Sequence, residues 1–249
     1  MGYGTNSNGL FYSAKLESVY IGRNLIYPST SGSKRCPFYA QPITSVTIGE
    51  KVESVGPELF KGCTRLTSIV LPESVKLIEE SAFESCTGLT TAEMSKVALI
   101  HKNAFKGCTS LTNVNVGSNA RVLENSAFEG CASLKSINLP KVALIYSDAF
   151  KDCSGLQSVI MGPDIRTIDA NAFNGCTGMK NMYVYSDEAP ACDASTFTNV
   201  PVITDIHVIK GSRSQYERDE VWNRVAVITD DLNGDEDPGE TDIEFYAIG

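Results

Sequence analysis

The chain has 249 residues, 42% apolar and 20% charged, a composition that supports a buried core and argues against disorder over its whole length. No stretch approaches the roughly 20 uncharged apolar residues of a membrane span, and residues 1–8 lack the basic and apolar regions of a signal peptide, so neither membrane insertion nor an export signal is expected within this segment. The net charge is −9, yet eight of the 30 acids lie beyond Arg224; the other 22 face 21 bases, and so neutral a body argues against nucleic acid as a partner.

Taken from the N-terminus, apolar residues recur with L-x-x-L-x-L spacing. The copies are Leu16, Val19, Ile21; Ile43, Val46, Ile48; Leu66, Ile69, Leu71; Leu89, Ala92, Met94; Leu111, Val114, Val116. They continue as Leu134, Ile137, Leu139; Leu156, Val159, Met161; Met179, Met182, Val184; and Ile203, Ile206, Val208. Nine strands are predicted. Six copies are preceded by a Phe-x-x-Cys element, at Phe60/Cys63, Phe83/Cys86, Phe105/Cys108, Phe128/Cys131, Phe150/Cys153 and Phe173/Cys176, with spacings alternating 23, 22, 23, 22, 23. After each strand comes a breaker such as Pro72, Gly117, Pro140 or Gly162, then a second apolar set such as Val75, Ile78, Ala82 and Phe83. One such unit cannot bury its apolar faces alone, so copies must stack and draw their stability from the interfaces between them. The expected fold is an α/β repeat: a right-handed solenoid with a parallel sheet on its concave face, short return turns or 3-10 segments, and a C-terminal helical cap.

The run from Cys63 to Phe83 spells Cys-x-x-Leu-x-x-Ile-x-Leu-Pro-x-x-Val-x-x-Ile-x-x-x-Ala-Phe, which resembles the BspA-like leucine-rich repeats of bacterial surface proteins. Residues 20–25 with Pro37-Phe38-Tyr39 look like an opening repeat of such proteins; residues 188–192 with Phe197, then 208–216 and Trp222, look like their C-terminal end. The likeness covers residues 10–229 and weakens at Ala92 and at the short turns Ser95-Lys96-Val97 and Pro140-Lys141-Val142. It implies an extracellular location at a bacterial cell surface and a role in adhesion or binding of host proteins. None of the 15 Asn residues lies in an Asn-x-Ser/Thr sequon, so nothing points to a glycosylated eukaryotic ectodomain.

Six of the eight cysteines hold one position of the repeat. Side chains stacked in parallel have poor torsion for S–S closure, and 22-residue spacing in a rigid column supplies no convergent zinc ligands, so a buried ladder of free thiols is expected. Cys36 and Cys192 lie outside the ladder, and their pairing is left open. His101 is expected to face solvent on the convex side, and His207 to project from the terminal strand onto the concave face. No H-E-x-x-H, G-x-S-x-G or phosphate-binding glycine loop occurs, and neither enzymatic activity nor a cofactor or metal is expected. Asp231-Leu-Asn233-Gly-Asp235-Glu-Asp237 echoes the start of a calcium loop, but Glu236 stands where Gly is needed and Pro238 comes next but one, which favours an acidic linker.

In L-x-x-L-x-L the third and fifth residues turn away from the core. The third-position column, from Ser18 to Asp205, is small and polar. The fifth-position column mixes residue types: Tyr20, Thr47, Val70, Glu93, Asn115, Asn138, Ile160, Tyr183, His207. Such variety at a structurally free position suits recognition, and the expected ligand-binding residues are Tyr20, Val70, Glu93, Asn115, Asn138, Ile160, Tyr183 and His207, facing a host or matrix protein or a glycan. Two other roles fit the same sequence, a spacer within a longer surface protein and a secreted protein-binding regulator. Residues 1–229 are read as solenoid with capping segments, including a helix from Gly211 and Ser212 through Arg224 that covers the core with Tyr216, Val221, Trp222 and Val225. Residues 230–249 are read as an acidic tail, with Ile243 to Ile248 apolar enough to begin another strand or domain.

Overall fold

The computed structural model describes residues 11, 14–27, 36–201 and 204–234; Ile203 of the last predicted repeat and residues 235–249 lie outside these. In chain order the strands begin with β1 (Ser18–Ile21), β2 (Ser45–Ile48), β3 (Ser54–Val55), β4 (Ser68–Val70), β5 (Leu77–Ile78), β6 (Thr91–Glu93), β7 (Leu99–Ile100), β8 (Asn113–Asn115) and β9 (Val122–Leu123). They continue as β10 (Ser136–Leu139), β11 (Leu144–Ile145), β12 (Ser158–Met161), β13 (Thr167–Ile168), β14 (Asn181–Val184), β15 (Ala191–Cys192) and β16 (Thr204–Ile209). Two short helices, α1 (Arg213–Arg218) and α2 (Trp222–Val225), precede the last strand, β17 (Ala226–Leu232).

Each L-x-x-L-x-L run forms one strand of a parallel array, ordered β1-β2, then β4-β6-β8, then β10-β12-β14-β16-β17. The register is that of the repeat: Ser68 opposes Thr91 and Val70 opposes Glu93, while Ile160 opposes Tyr183 and Tyr183 opposes His207. The second apolar set of each repeat pairs as well, giving a seven-stranded parallel sheet of two-residue strands, β3-β5-β7-β9-β11-β13-β15. Of the expected return turns or 3-10 segments, turns and these short strands form the returns, and no 3-10 segment occurs among the described residues. Ile78, Ile100, Leu123 and Ile145 stack in register, and backbone pairing between coils satisfies amide groups that a 3-10 turn would have satisfied within one.

Between the two sheets lies the core. Nine of the ten phenylalanines form one continuous stack from Phe11 through Phe38, Phe60, Phe83, Phe105, Phe128, Phe150 and Phe173 to Phe197, with ring centroids 5.2–5.8 Å apart and planes within 2–13°. Left-handed backbone brackets each ring from Phe60 to Phe173. Two residues before Phe83, Phe105 and Phe150 stand Ser81, Asn103 and Asp148 at φ 57–60°; two residues after stand Ser85, Gly107 and Asp152 at φ 59–72°. Glycine and short polar side chains tolerate this region best, which is why the turn reads Ser/Asn/Asp-Ala-Phe-x-Gly/Ser/Asp-Cys.

Turn length explains the alternating spacing. The long turn after β12 lies against the short turn of the coil before it, and a Cβ on Gly162 would sit 1.8 Å from the Pro140 carbonyl oxygen; Gly117, at φ 70°, has the same relation to Ser95. Charge alternates in step with turn length. From Phe60 to Phe150 the residue after the Phe is Lys61, Glu84, Lys106, Glu129 and Lys151 in turn, and Lys61 Nζ lies 2.7 Å from Glu84 while Lys106 Nζ lies 2.8 Å from Glu129. Burial opposes ionisation of Glu129, but hydrogen bonds from Lys106 and Ser126 and the nearby Lys151 outweigh it and hold the carboxyl below its usual range.

Two differences from expectation occur at the C-terminal end. The single helix expected through Arg224 is two, because Asp219 adopts extended backbone (φ −78°, ψ 126°) and its Oδ1 accepts from the Val221 and Trp222 amides at 2.8 and 3.1 Å, so it ends α1 and caps α2. β16 is also not the last strand: β17 pairs with it in parallel, and the boundary placed at 229/230 falls inside that strand.

Candidate binding face

The outward columns exist as the spacing requires, but they are not uniformly open. At the fifth position Tyr20 is 71% and Val70 65% exposed, Thr47 and Asn115 are exposed, and Glu93, Asn138 and His207 are half-buried. Ile160 and Tyr183 are 1% and 6% exposed, and Ser158 of the third-position column is also buried. These two residues therefore lie on the expected face without being accessible on it, which corrects the reading of the column as outward along its whole length. Period-two alternation sets which face a side chain takes; it does not say whether other groups cover that face.

Tyr20 is held in place by its surroundings. A Cβ on Gly49 would lie 2.8 Å from the Tyr20 hydroxyl and one on Gly22 would lie 3.0 Å from its Cε1, so the ring rests on two glycines that leave room for it. Asn115 is tied locally, its Oδ1 accepting from the Gly117 amide at 3.0 Å. His207 stacks on Tyr183 with centroids 4.7 Å apart, and its Nδ1 is 2.9 Å from a carboxylate oxygen of Asp231. That contact engages the first residue of the calcium-like stretch, whose next member, Leu232, is buried; residues 235–237 of the stretch lie outside the described residues.

His101, on the opposite side, lies between Glu79 and Glu124, with Nδ1 2.9 Å from Glu124. The thiols of all eight cysteines are free. In the ladder each donates to the Phe carbonyl of the preceding coil: Cys86 to Phe60 at 3.0 Å, Cys108 to Phe83 at 3.2 Å, Cys153 to Phe128 at 3.1 Å and Cys176 to Phe150 at 3.2 Å. The same carbonyls accept the cysteine amide of their own coil, as Phe60 does from Cys63 at 3.0 Å, so sulfur occupies a second lone pair that alanine or valine would leave empty. Sequence reasoning treated these residues as small hydrophobes and missed their donor role. Burial pushes the Cys63 and Cys108 thiols up to about 12, and raises Cys86, Cys131 and Cys176 too. Cys36, near Pro57 and Glu58, and Cys192, in β15, sit at opposite ends of the short-strand sheet.

At the far end of the phenylalanine stack Trp222 packs against Phe197 at 5.0 Å, tilted by 58°, and Tyr216 meets it edge-on. Tyr216 donates to the Ser186 carbonyl and Trp222 Nε1 to the Pro190 carbonyl, both at 2.9 Å, and both side chains are fully buried. Arg213, Glu217 and Arg218 are exposed.

Among the described residues no group of three His, Cys, Asp or Glu side chains converges as a metal would require, and no helix is long and apolar enough to cross a membrane. The repeated surfaces, rather than a pocket, are what distinguish this molecule. A family model for the BspA type leucine rich repeat region matches in six copies over residues 30–157 and 98–217. The chain is a BspA-type leucine-rich-repeat protein. A crystal structure of a leucine-rich-repeat protein from T. pallidum matches with a TM-score of 0.54 at 24% identity, covering 86% of this chain and 83% of that one, and shows the same fold. The pneumococcal vaccine antigen PcpA also matches, at 14% identity and a TM-score of 0.43, over 87% of this chain and 67% of that one. No curated protein matches. Membership in this repeat family of bacterial surface-type proteins suggests a protein-binding or adhesion module.

Proposed function

We propose that this chain is a non-enzymatic, extracellular module that holds a host or matrix protein, or a glycan, at a bacterial cell surface through the open part of its long-strand face. The observation that carries the reading is the run Tyr20, Thr47, Val70, Glu93, Asn115, exposed at every position but the half-buried Glu93. An aromatic ring, a branched aliphatic side chain, a carboxylate and an amide there offer contact area and hydrogen bonding side by side. They stand on a sheet, so binding orders no loop and little affinity is lost to conformational entropy. The near-universal handedness of parallel crossovers supports a right-handed coil, and the packing of Tyr216 and Trp222 supports a helical cap over the last phenylalanine.

A screen of glycans and matrix proteins tests the proposal, repeated with Tyr20→Ala and Val70→Ala, each checked for an unchanged melting temperature. A saturable ligand that weakens by about tenfold with either substitution supports it. Gly49→Ala should weaken the same ligand by displacing the Tyr20 ring. Binding that survives both alanine substitutions, or that maps to the Phe-to-Cys turns, overturns the assignment, and the absence of any saturable partner leaves the spacer role as the better account. Because the body is nearly neutral, binding should depend only modestly on salt.

A further inference from the structure

We propose that two copies of this chain pair through the outer side of the short-strand sheet, with their solenoids side by side and parallel. The observation is the make-up of that side, which β5, β7, β9, β11 and β13 carry in register. In each of these strands the second residue is buried and the first turns outward; the outward column reads Leu77, Leu99, Val122, Leu144 before it reaches Thr167, all half-buried. A column that only meets water looks different, as the third-position column of the long strands from Ser18 to Asn113 shows with its Ser, Thr and Asn. Four aliphatic residues in succession keep apolar surface in water that a second copy would remove.

The two flanks of the column decide what fits over it. The residue before each short strand runs Lys76, Ala98, Arg121, Ala143, Arg166, with the three cations exposed. The residue after each strand, which alternation also turns outward, runs Glu79, His101, Glu124, Tyr146, Asp169. One flank thus alternates basic with small and the other acidic with bulky, coil for coil. A two-fold axis along the column lays each coil on the same coil of the second copy and exchanges the flanks. Lys76 of either copy then faces Glu79 of the other, Arg121 faces Glu124 and Arg166 faces Asp169, while Ala98 and Ala143 leave room for His101 and Tyr146; the symmetry makes every pair twice. An axis across the column through Val122 would instead set Lys76 against Arg166 and bring Arg121 and Glu124 each against its own copy, and like charges oppose that contact. Sheets packed face to face lie about 10 Å apart, a gap that a Lys or Arg side chain and a carboxylate close from opposite sides. Within its own copy Arg121 lies 3.2 Å from Asp164, an exposed pair that exchanges partners at little cost. Five coils extend only about 19 Å along the column, which is the scale of a transient contact, so pairing belongs to high local concentration. Because the core lies between the two sheets, both long-strand faces stay outward in the pair, and two of them are presented together.

The test is sedimentation equilibrium of the full-length chain, which should show monomer and dimer exchanging over about 10 to 500 µM. Arg121→Glu and Glu124→Arg should each weaken the dimer at least about tenfold. An equimolar mixture of the two variants should associate about as tightly as the unmodified chain, because each supplies the sign that the other lacks. Both variants should keep the melting temperature of the unmodified chain. The arrangement is read independently, with no change of charge, by treating Leu77→Cys with a short bis-maleimide: mass spectrometry should find residue 77 of one copy joined to residue 77 of the other. A chain that stays monomeric over the whole range overturns the proposal, as does a dimer indifferent to both charge reversals. A dimer in which Cys at position 77 does not join its own counterpart makes another surface or the opposite orientation the contact, and also overturns it.

Discussion

Val70 and Ile160 occupy the same position of the same repeat, four coils apart, on strands of the same register, yet one faces solvent and the other does not. The repeats that carry them use the same turns, the same phenylalanine stack and the same thiol contacts. The difference lies in the surroundings of the strand face. Among the described residues, Ile160 and Tyr183 cluster with Tyr185, Ile209 and Leu232, and the strand array ends there against β17. A repeat can therefore specify a scaffold uniformly while the accessibility of one repeat position differs from coil to coil.

The largest effect expected is alkaline unfolding, and it asks whether the two halves share one core. The Cys63 and Cys108 thiols titrate near 9.0 when unfolded and are pushed up to about 12 when folded. A raised folded pKa means that this stability is whole below pH 9 and falls as pH rises toward 12, by about 1.4 kcal/mol per pH unit for each such thiol. Equilibrium unfolding from pH 8 to 12 should show one cooperative loss; separate transitions for Trp222 emission and for the N-terminal tyrosines would mean that the halves are independent. Next in size, Trp222→Ala should cost about 3–5 kcal/mol in urea unfolding, since its ring is fully buried against Phe197 and its indole N–H is bonded. Ile160→Ala should then cost about 2–4 kcal/mol and Val70→Ala no more than about 0.5, the sharpest test of the contrast between the halves; equal costs would break it. The smallest effect concerns an exposed turn. Ala40 sits at φ 52° with no polar side chain to favour it, and Ala40→Gly should raise stability by about 0.5 kcal/mol.

The strands were legible because L-x-x-L-x-L spacing and Phe-x-x-Cys recur without a break from Phe60 to Cys176, and the outward columns emerged from alternation alone. β17 was not, because the core position opposite Val208 is filled by Asp230 and a bulge near Ile209 shifts the register, so Ala226–Leu232 spells no repeat. The burial of Ile160 and Tyr183 had no local signal, since alternation sets which face a side chain takes and not how accessible it is. The thiol contacts were hidden for another reason: a column of cysteines reads the same whether sulfur fills space or donates to a carbonyl. The alternation of Lys61, Glu84, Lys106 and Glu129 could have been found by reading one column further.

That alternation bears on how such a chain changes length. Removing one coil would set Lys61 over Lys106 and a long turn over another long turn, so the new junction would meet like charge and mismatched backbone. Removing the 45 residues from Phe60 to Ala104 would instead bring Lys106 to the place Lys61 held, with every neighbour unchanged in kind. Duplication obeys the same arithmetic, which makes the coil pair, advancing the stack by about 10 Å, the natural unit of growth for this molecule.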